Sequence, residues 1–281
     1  MQNDNTIAAE ATSLQYEHRL FLREMGALIP GTIPLAEIKT VLDVACGPGS
    51  WTIDLAKAYP AMHVTGVDKK AEMVEIARRD AAIIRVANVS FTIGNIQEQL
   101  PFADASFDFV HVQMEREAVG LKEMPYALRE LLRVLRPGGW INLLNFEPGP
   151  VSSPSMDILI ALVNQAFVQA GRGVYPDRLT FTIAVQYTRF LFQADCVDVR
   201  YTLHPVDLGG WNNPAGRAYI VTTFADDNLI APFLLKTGVT TQAEIENLLQ
   251  KIRQEVQQID FCGGGMIISV VGRKPEIAGP K

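Results

Sequence analysis

The chain has 281 residues, of which 48% are hydrophobic and 20% charged, with a formal net charge of −6. That balance fits one large α/β domain with insertions, and its acidity and lack of a lysine or arginine cluster speak against a nucleic-acid backbone as the main partner. No apolar run approaches the ~18 residues of a membrane helix, and the polar start, Met1 to Asn5, lacks a signal-peptide pattern, so no membrane span and a cytoplasmic location are expected.

Residues 1–12 read as disordered or frayed. Residues 13–28 read as a helix, with Leu14, Leu20, Phe21 and Leu28 among charges, ended by Ile29-Pro30-Gly31. Strands are predicted near 40–45, 63–67, 89–93, 107–112 and 140–146, with helices near 50–59, 71–80 and 124–135 between them. Pro125 sits near the first turn of the last helix, and Pro137-Gly138-Gly139 stops it. Alternating strands and helices imply a parallel sheet with right-handed crossovers.

Past Glu147 the pattern changes. Pro148-Gly149-Pro150 and Ser152-Ser153-Pro154 break the chain. A helix near 155–170 ends at Gly171-Arg172-Gly173, a helix near 180–194 follows, and a strand runs from Val197 to Leu203. The segment 205–260 is too long for a hairpin connection and must carry structure of its own. Within it Thr241-x-x-Glu244 is a capping-box signature, and Ile245, Leu248, Leu249, Ile252, Val256 and Ile259 share one helical face. That face reads either as packed on its own domain or as a dimer contact, leaving a monomer or a homodimer. A last strand runs from Gly265 to Gly272.

The most informative stretch is Val41 to Asp54. An apolar strand, Val41–Val44, carries Asp43 near its end and runs into the turn Gly47-Pro48-Gly49, and a helix opens straight after. Gly47 and Gly49 let backbone approach a ligand with no Cβ in the way. The helix turns its positive N-terminal end to the same crevice. A second apolar strand ends in Asp68, about 20 residues past the turn, where an acid reaches a ribose diol. A nucleoside ligand is therefore expected. A dinucleotide fold wants a third glycine where Thr52 stands, and it leaves Asp43 unexplained.

Asp43-x-x-Cys46-Gly47-x-Gly49 followed by an acid-ended strand resembles the class I S-adenosylmethionine-dependent methyltransferases. Phe91 to Ile96, Leu100-Pro101-Phe102, Ser106 to Val112 and Leu131 to Trp140 continue the resemblance in order. It implies a Rossmann-like seven-stranded sheet, mostly parallel with an antiparallel last strand, with helices on both faces and helical cap insertions. The division implied is one methyltransferase domain over 1–281. It comprises a leading helix at 13–30, a cofactor-binding core at 40–147, cap segments at 148–180 and 205–260, and the last strand at 265–272. The cofactor implied is S-adenosyl-L-methionine, held by Tyr16, Asp43, Ala45, Cys46, Gly47, Gly49, Asp68, Lys69, Met73, Gly94, Asn95, Ile96, Gln113 and Met114. Two positions depart from the family. Alanine replaces a usual glycine at Ala45, which suits the fold if φ there is negative. Asparagine replaces a frequent acid at Asn95, and it both donates and accepts at an adenine edge.

Methyl transfer needs two reactants held in line, water kept out and, for many acceptors, a base. Glu115 after the fourth strand and His204 after the sixth are the candidate catalytic residues. Glu115 reads more simply as a salt-bridge or helix-start acid, and His204 equally as a surface turn residue. Nearly half of the aromatic residues fall in 151–235. Such a cap suits a small, largely apolar or aromatic acceptor, and Glu147, Phe167, Tyr175, Trp211 and Tyr219 are its candidate contacts. The branch resembled is that of quinone, sterol and other small-molecule methyltransferases, and O-, C- and N-methylation all stay open. Two alternatives stand beside it: a protein of the same fold that binds the cofactor and steers a rearrangement, and a nucleotide-dependent oxidoreductase. Cys46, Cys196 and Cys262 form no paired framework, and the four histidines show no metal spacing, so no metal is expected.

Overall fold

The computed structural model describes residues 2–113, 123–171, 184–209, 213–226 and 229–276. Seven strands form one sheet in the order β3-β2-β1-β4-β5-β7-β6. β1 (Thr40–Val44), β2 (His63–Asp68), β3 (Val89–Ile93), β4 (Phe107–Gln113) and the first half of β5 (Leu135–Val151) run parallel. β7 (Gly263–Arg273) runs antiparallel to β5: Gly138 and Lys274 are bonded at one end, Ser152 and Cys262 at the other. It also runs antiparallel to β6 (Val197–Asp207), with Leu208 N donating to Gly263 O and Arg273 paired with Asp198.

The chain divides into two compact units. The first to consider takes Gly26–Asn145, Ile183–Leu203 and Ile268–Lys281. Its central strands are buried almost end to end, as expected where helices cover both faces of a parallel sheet. α2 (Ser50–Ala58) and α3 (Ala71–Ile84) pack together, as do α4 (Met124–Val134) and α6 (Ala184–Gln193). α4 shows why the sequence makes a helix there. Pro125 occupies its first turn, and Met124, Ala127, Leu128, Leu131 and Val134 recur at helical spacing and are all buried.

The other unit takes Met1–Met25, Phe146–Thr182 and His204–Ile267. Its leading helix α1 runs Gln2–Met25, so residues 2–12 continue the helix instead of fraying. Ala8, Ala9, Glu10 and Ala11 favour helix, and nothing breaks it before Gly26, whose φ is +68°. α5 (Pro154–Gln169), α7 (Pro214–Tyr219) with a wide π-turn at Ile220–Phe224, α8 (Ala231–Thr237) and α9 (Gln242–Glu255) complete the unit. Thr241 and Glu244 form the capping box of α9. Ile245, Leu248, Leu249, Ile252 and Val256 are buried, but Ile259 lies beyond the helix end and is 68% exposed.

Pro148-Gly149-Pro150 does not break the chain, since β5 continues through it to Val151. Among the described residues β4 pairs with β5 only as far as Leu144, and beyond it β7 holds β5 on its other side, an arrangement that tolerates proline. Gly149 lies so close to β7 that a Cβ would meet Gly264 O at 2.9 Å.

Glu255, the last residue of α9, closes the start of α5. Its carboxylate accepts from Ser153 Oγ, from Ser155 Oγ at 2.7 Å and from Ser155 N at 3.2 Å. Glu255→Ala leaves those donors without an acceptor, a cost of about 1–3 kcal/mol. Thermal unfolding should show a lowered Tm, and an unchanged Tm removes this clamp from the account.

Candidate cofactor site

Thr40 to Val44 on β1 pair in register with His63 to Val67 on β2, so Asp43 and Asp68 come to the carboxyl ends of neighbouring strands. Ligands bind at that end of a parallel sheet. Between them the chain turns sharply. Ala45, Gly47 and Gly49 have φ of +59°, +52° and +78°. Cys46 N donates to Val67 O at 3.1 Å and Gly49 N to Cys46 O at 2.9 Å, which binds the turn to the end of β2. Gly49 is required: a Cβ there would meet Ala77 Cβ at 2.7 Å and the Phe91 ring at 2.8 Å.

The condition under which alanine suits this position, a negative φ, is not met. A left-handed conformation costs a non-glycine residue about 1–2 kcal/mol, part of which glycine returns as chain entropy. Ala45→Gly is expected to raise the Tm by about 2 °C, as measured by thermal unfolding. A fall would mean that the methyl group packs well enough to outweigh the strain.

Asp68 is buried, and its carboxylate braces the turn. Oδ2 accepts from Gly47 N at 2.9 Å and Oδ1 from Lys70 N at 2.8 Å. Asp43 is buried too and accepts a 2.5 Å bond from Thr52 Oγ1 on α2. Burial pushes its carboxyl up from 3.8 to about 7; the Thr52 bond works against this and the Asp68 charge adds to it. Burial, with the charges of Asp43 and Asp68, raises the Cys46 thiol well above its ordinary value, so Cys46 is packed and protonated.

The rest of the predicted cofactor set divides. Met73 on α3 and Ile96 are buried, while the Lys69 side chain is exposed. Gly94 N donates to Asp68 O at 3.0 Å, bringing the turn after β3 to the same strand end. Asn95 shapes that turn: its Oδ1 accepts from Gln97 N at 3.1 Å and its amide donates to Glu98 at 3.3 Å. Gln113 closes β4. Met114 and Glu115 lie outside the described residues, as do Tyr175 and Trp211.

The remaining candidates belong to the second unit. Tyr16 is half-buried on α1 with the Arg19 guanidinium over its ring at 4.7 Å. His204 lies inside β6, half-buried, and not in a turn beyond it; the strand runs on to Asp207 because β7 stays beside it. Glu147 is on β5. Phe167 is buried on α5 against Phe233, with ring centroids 4.9 Å apart. Tyr219 is buried on α7, donates to Glu17 Oε2 at 2.9 Å, and meets Phe146 and Phe224 edge-on.

Sequence reasoning passed over a polar row inside the sheet. Asp43, His111 and Asn142 are successive register partners on β1, β4 and β5, and Ser269 on β7 extends the row by a hydrogen bond to Asn142. All are at most 3% exposed. The signal was present: histidine and asparagine stand at the middle of strands that otherwise read as apolar runs.

Residues 41–139 match the methyltransferase domain family. Demethylmenaquinone methyltransferase from Staphylococcus aureus is 42% identical over 104 residues, which is 36% of this chain and 40% of that relative, so the chain spans well under half of the curated relative it matches. Among solved structures, Haemonchus contortus phosphoethanolamine N-methyltransferase 2 in complex with S-adenosyl-L-methionine covers 94% of this chain and 56% of its own, at TM-score 0.56 and 17% identity. The cyclase SpnF covers 84% and 75%, at TM-score 0.50 and 21% identity. At those identities the structures share the fold alone. Residues 41–139 are thus similar to the methyltransferase domain family, and the chain shares the fold of a methyltransferase of known structure.

Proposed function

We propose that this protein transfers a methyl group from S-adenosyl-L-methionine to a small, largely apolar or aromatic acceptor. The observation that carries the reading is the donor set at the ends of β1 and β2. Two buried carboxylates flank a left-handed glycine turn whose Gly47 amide is already given to Asp68. Carboxylates suit hydroxyls and an ammonium group, whereas a pyrophosphate wants free amides and cations. The residues therefore fit this cofactor and not a dinucleotide.

On this reading Asp68 takes the ribose hydroxyls and Asp43 the ammonium group. Gly94, Asn95 and Ile96 meet the adenine, while Ala45 to Gly49, Lys69, Met73, Gln113 and Met114 complete the contacts, with Tyr16 at the amino-acid end. When bound, the cofactor supplies an electrophilic methyl group on a sulfonium. The chain's own part is to orient the acceptor in line, exclude water and take a proton where the nucleophile carries one. Glu115 and His204 are the bases we assign. Acceptor choice falls to 148–180 and 205–260, with Glu147, Phe167, Tyr175, Trp211 and Tyr219 as contacts. A cytoplasmic role in secondary metabolism is part of the same reading. Among the described residues no helix is long and apolar enough to cross a membrane.

The test is incubation of purified protein with S-adenosylmethionine and a panel of phenols, quinones, isoprenoids and amines, followed by mass spectrometry. The expected result is a product heavier by one methylene, with S-adenosylhomocysteine formed in equal amount. Because SpnF shares the fold, an acceptor isomerised at unchanged mass would favour a rearrangement instead.

A further inference from the structure

Burying four polar side chains in the middle of a sheet is costly unless each is satisfied and serves a purpose. The row Asp43–His111–Asn142–Ser269 is ordered from its far end. Ser269 Oγ donates to Asn142 Oδ1 at 2.7 Å. The amide Nδ2 then lies 3.1 Å from His111 Nδ1. An amide nitrogen only donates, so Nδ1 accepts, and the ring proton of a neutral imidazole is left on Nε2. The ring is held flat against Trp51, with centroids 4.0 Å apart and planes 17° apart, and Trp51 is anchored by its Nε1 donating to Leu28 O at 3.0 Å. Thr52, the next residue of α2, bonds Asp43. The first turn of α2 is thereby seated on two neighbouring members of the row.

We infer that His111, Asn142 and Ser269 are positioning residues for cofactor capture: Asn142 and Ser269 hold His111 as a neutral imidazole, so that among the described residues none gives Asp43 a cation and the ligand's ammonium group takes that place. The inference rests on the proposed cofactor reading. The groups facing Asp43 agree with it. Among the described residues, the Asp68 charge from β2 and burial both raise the Asp43 carboxyl, the Cys46 thiol from the turn is itself raised, Thr52 from α2 is a neutral donor, and His111 from β4 has the Asn142 amide against its Nδ1. A protonated His111 would neutralise Asp43 from within and compete with the ligand.

Asn142→Asp tests this, because a carboxylate beside Nδ1 favours the imidazolium. Calorimetry should show S-adenosylhomocysteine, which carries the ammonium group, bound at least tenfold more weakly. Methylthioadenosine, which lacks the amino-acid part, should bind within twofold of its affinity for the unaltered protein. Equal loss for both ligands, or loss for neither, overturns the inference. Failure of the unaltered protein to bind either ligand would instead overturn the cofactor reading. A measurement without any substitution stands beside it. Nitrogen NMR of the ligand-free protein should show His111 neutral and protonated at Nε2 from pH 6 to 8; an imidazolium, or a proton on Nδ1, overturns the inference even if the variant does not fold.

Discussion

Asp68→Ala is expected to weaken S-adenosylmethionine binding by at least tenfold and to lower the Tm of the ligand-free protein as well. On the proposed reading the carboxylate is a charge-assisted acceptor for the ribose hydroxyls, each such bond being worth roughly 1.5–3 kcal/mol. A ribose contact by itself would leave the melting of the ligand-free protein little changed. The structure adds a second role, because the same oxygens hold Gly47 N and Lys70 N and so brace the turn. Calorimetry and thermal unfolding measure the two effects separately. Unchanged affinity would remove the ribose contact, and unchanged melting would remove the brace.

Asp43→Asn is expected to separate stability from binding in the opposite way. The carboxyl titrates near 7 in the folded protein and near 3.8 when exposed. Below 3.8 it is protonated in both states and costs nothing. From about pH 4 to 7 the unfolded chain ionises while the folded one keeps its proton, so stability falls with rising pH and then levels off. At about 1.36 kcal/mol per unit, the whole loss is on the order of 4 kcal/mol. Asparagine keeps an oxygen for Thr52 and has no proton to lose, so the ligand-free variant should melt higher than the parent at pH 8 and equally at pH 4. Binding should move the other way. An ammonium ligand favours the ionised form, so the parent's affinity should rise up to tenfold per pH unit toward 7 and flatten above it. The variant should bind more weakly and lose that slope. A variant that melts lower at pH 8, or a parent whose affinity ignores pH between 5 and 7, would contradict the role given to Asp43.

The parallel core was legible because its signals are local. Each strand is a short apolar run, each helix has its caps, and Asp43, the glycines and Asp68 lie within one strand-turn-helix-strand unit. Errors arose where a distant partner overrides local preference. Pro148 and Pro150 look like breakers, but β7 holds β5 extended through them. His204 reads as a turn residue before Pro205, yet β7 keeps β6 running to Asp207. Ala45 suits the fold only at negative φ by local preference, and in the turn fastened to β2 it is left-handed. The polar row was invisible to single-segment reading, since His111, Asn142 and Ser269 acquire meaning only when register places them side by side.

Hydrogen exchange followed by mass spectrometry, with and without saturating S-adenosylmethionine, tests most directly whether the ends of β1 and β2 hold this cofactor. Exchange should slow on binding at 43–52, 66–73 and 93–97 and stay unchanged in α9. No slowing at those three segments, or slowing there only with a nicotinamide dinucleotide, would contradict the account.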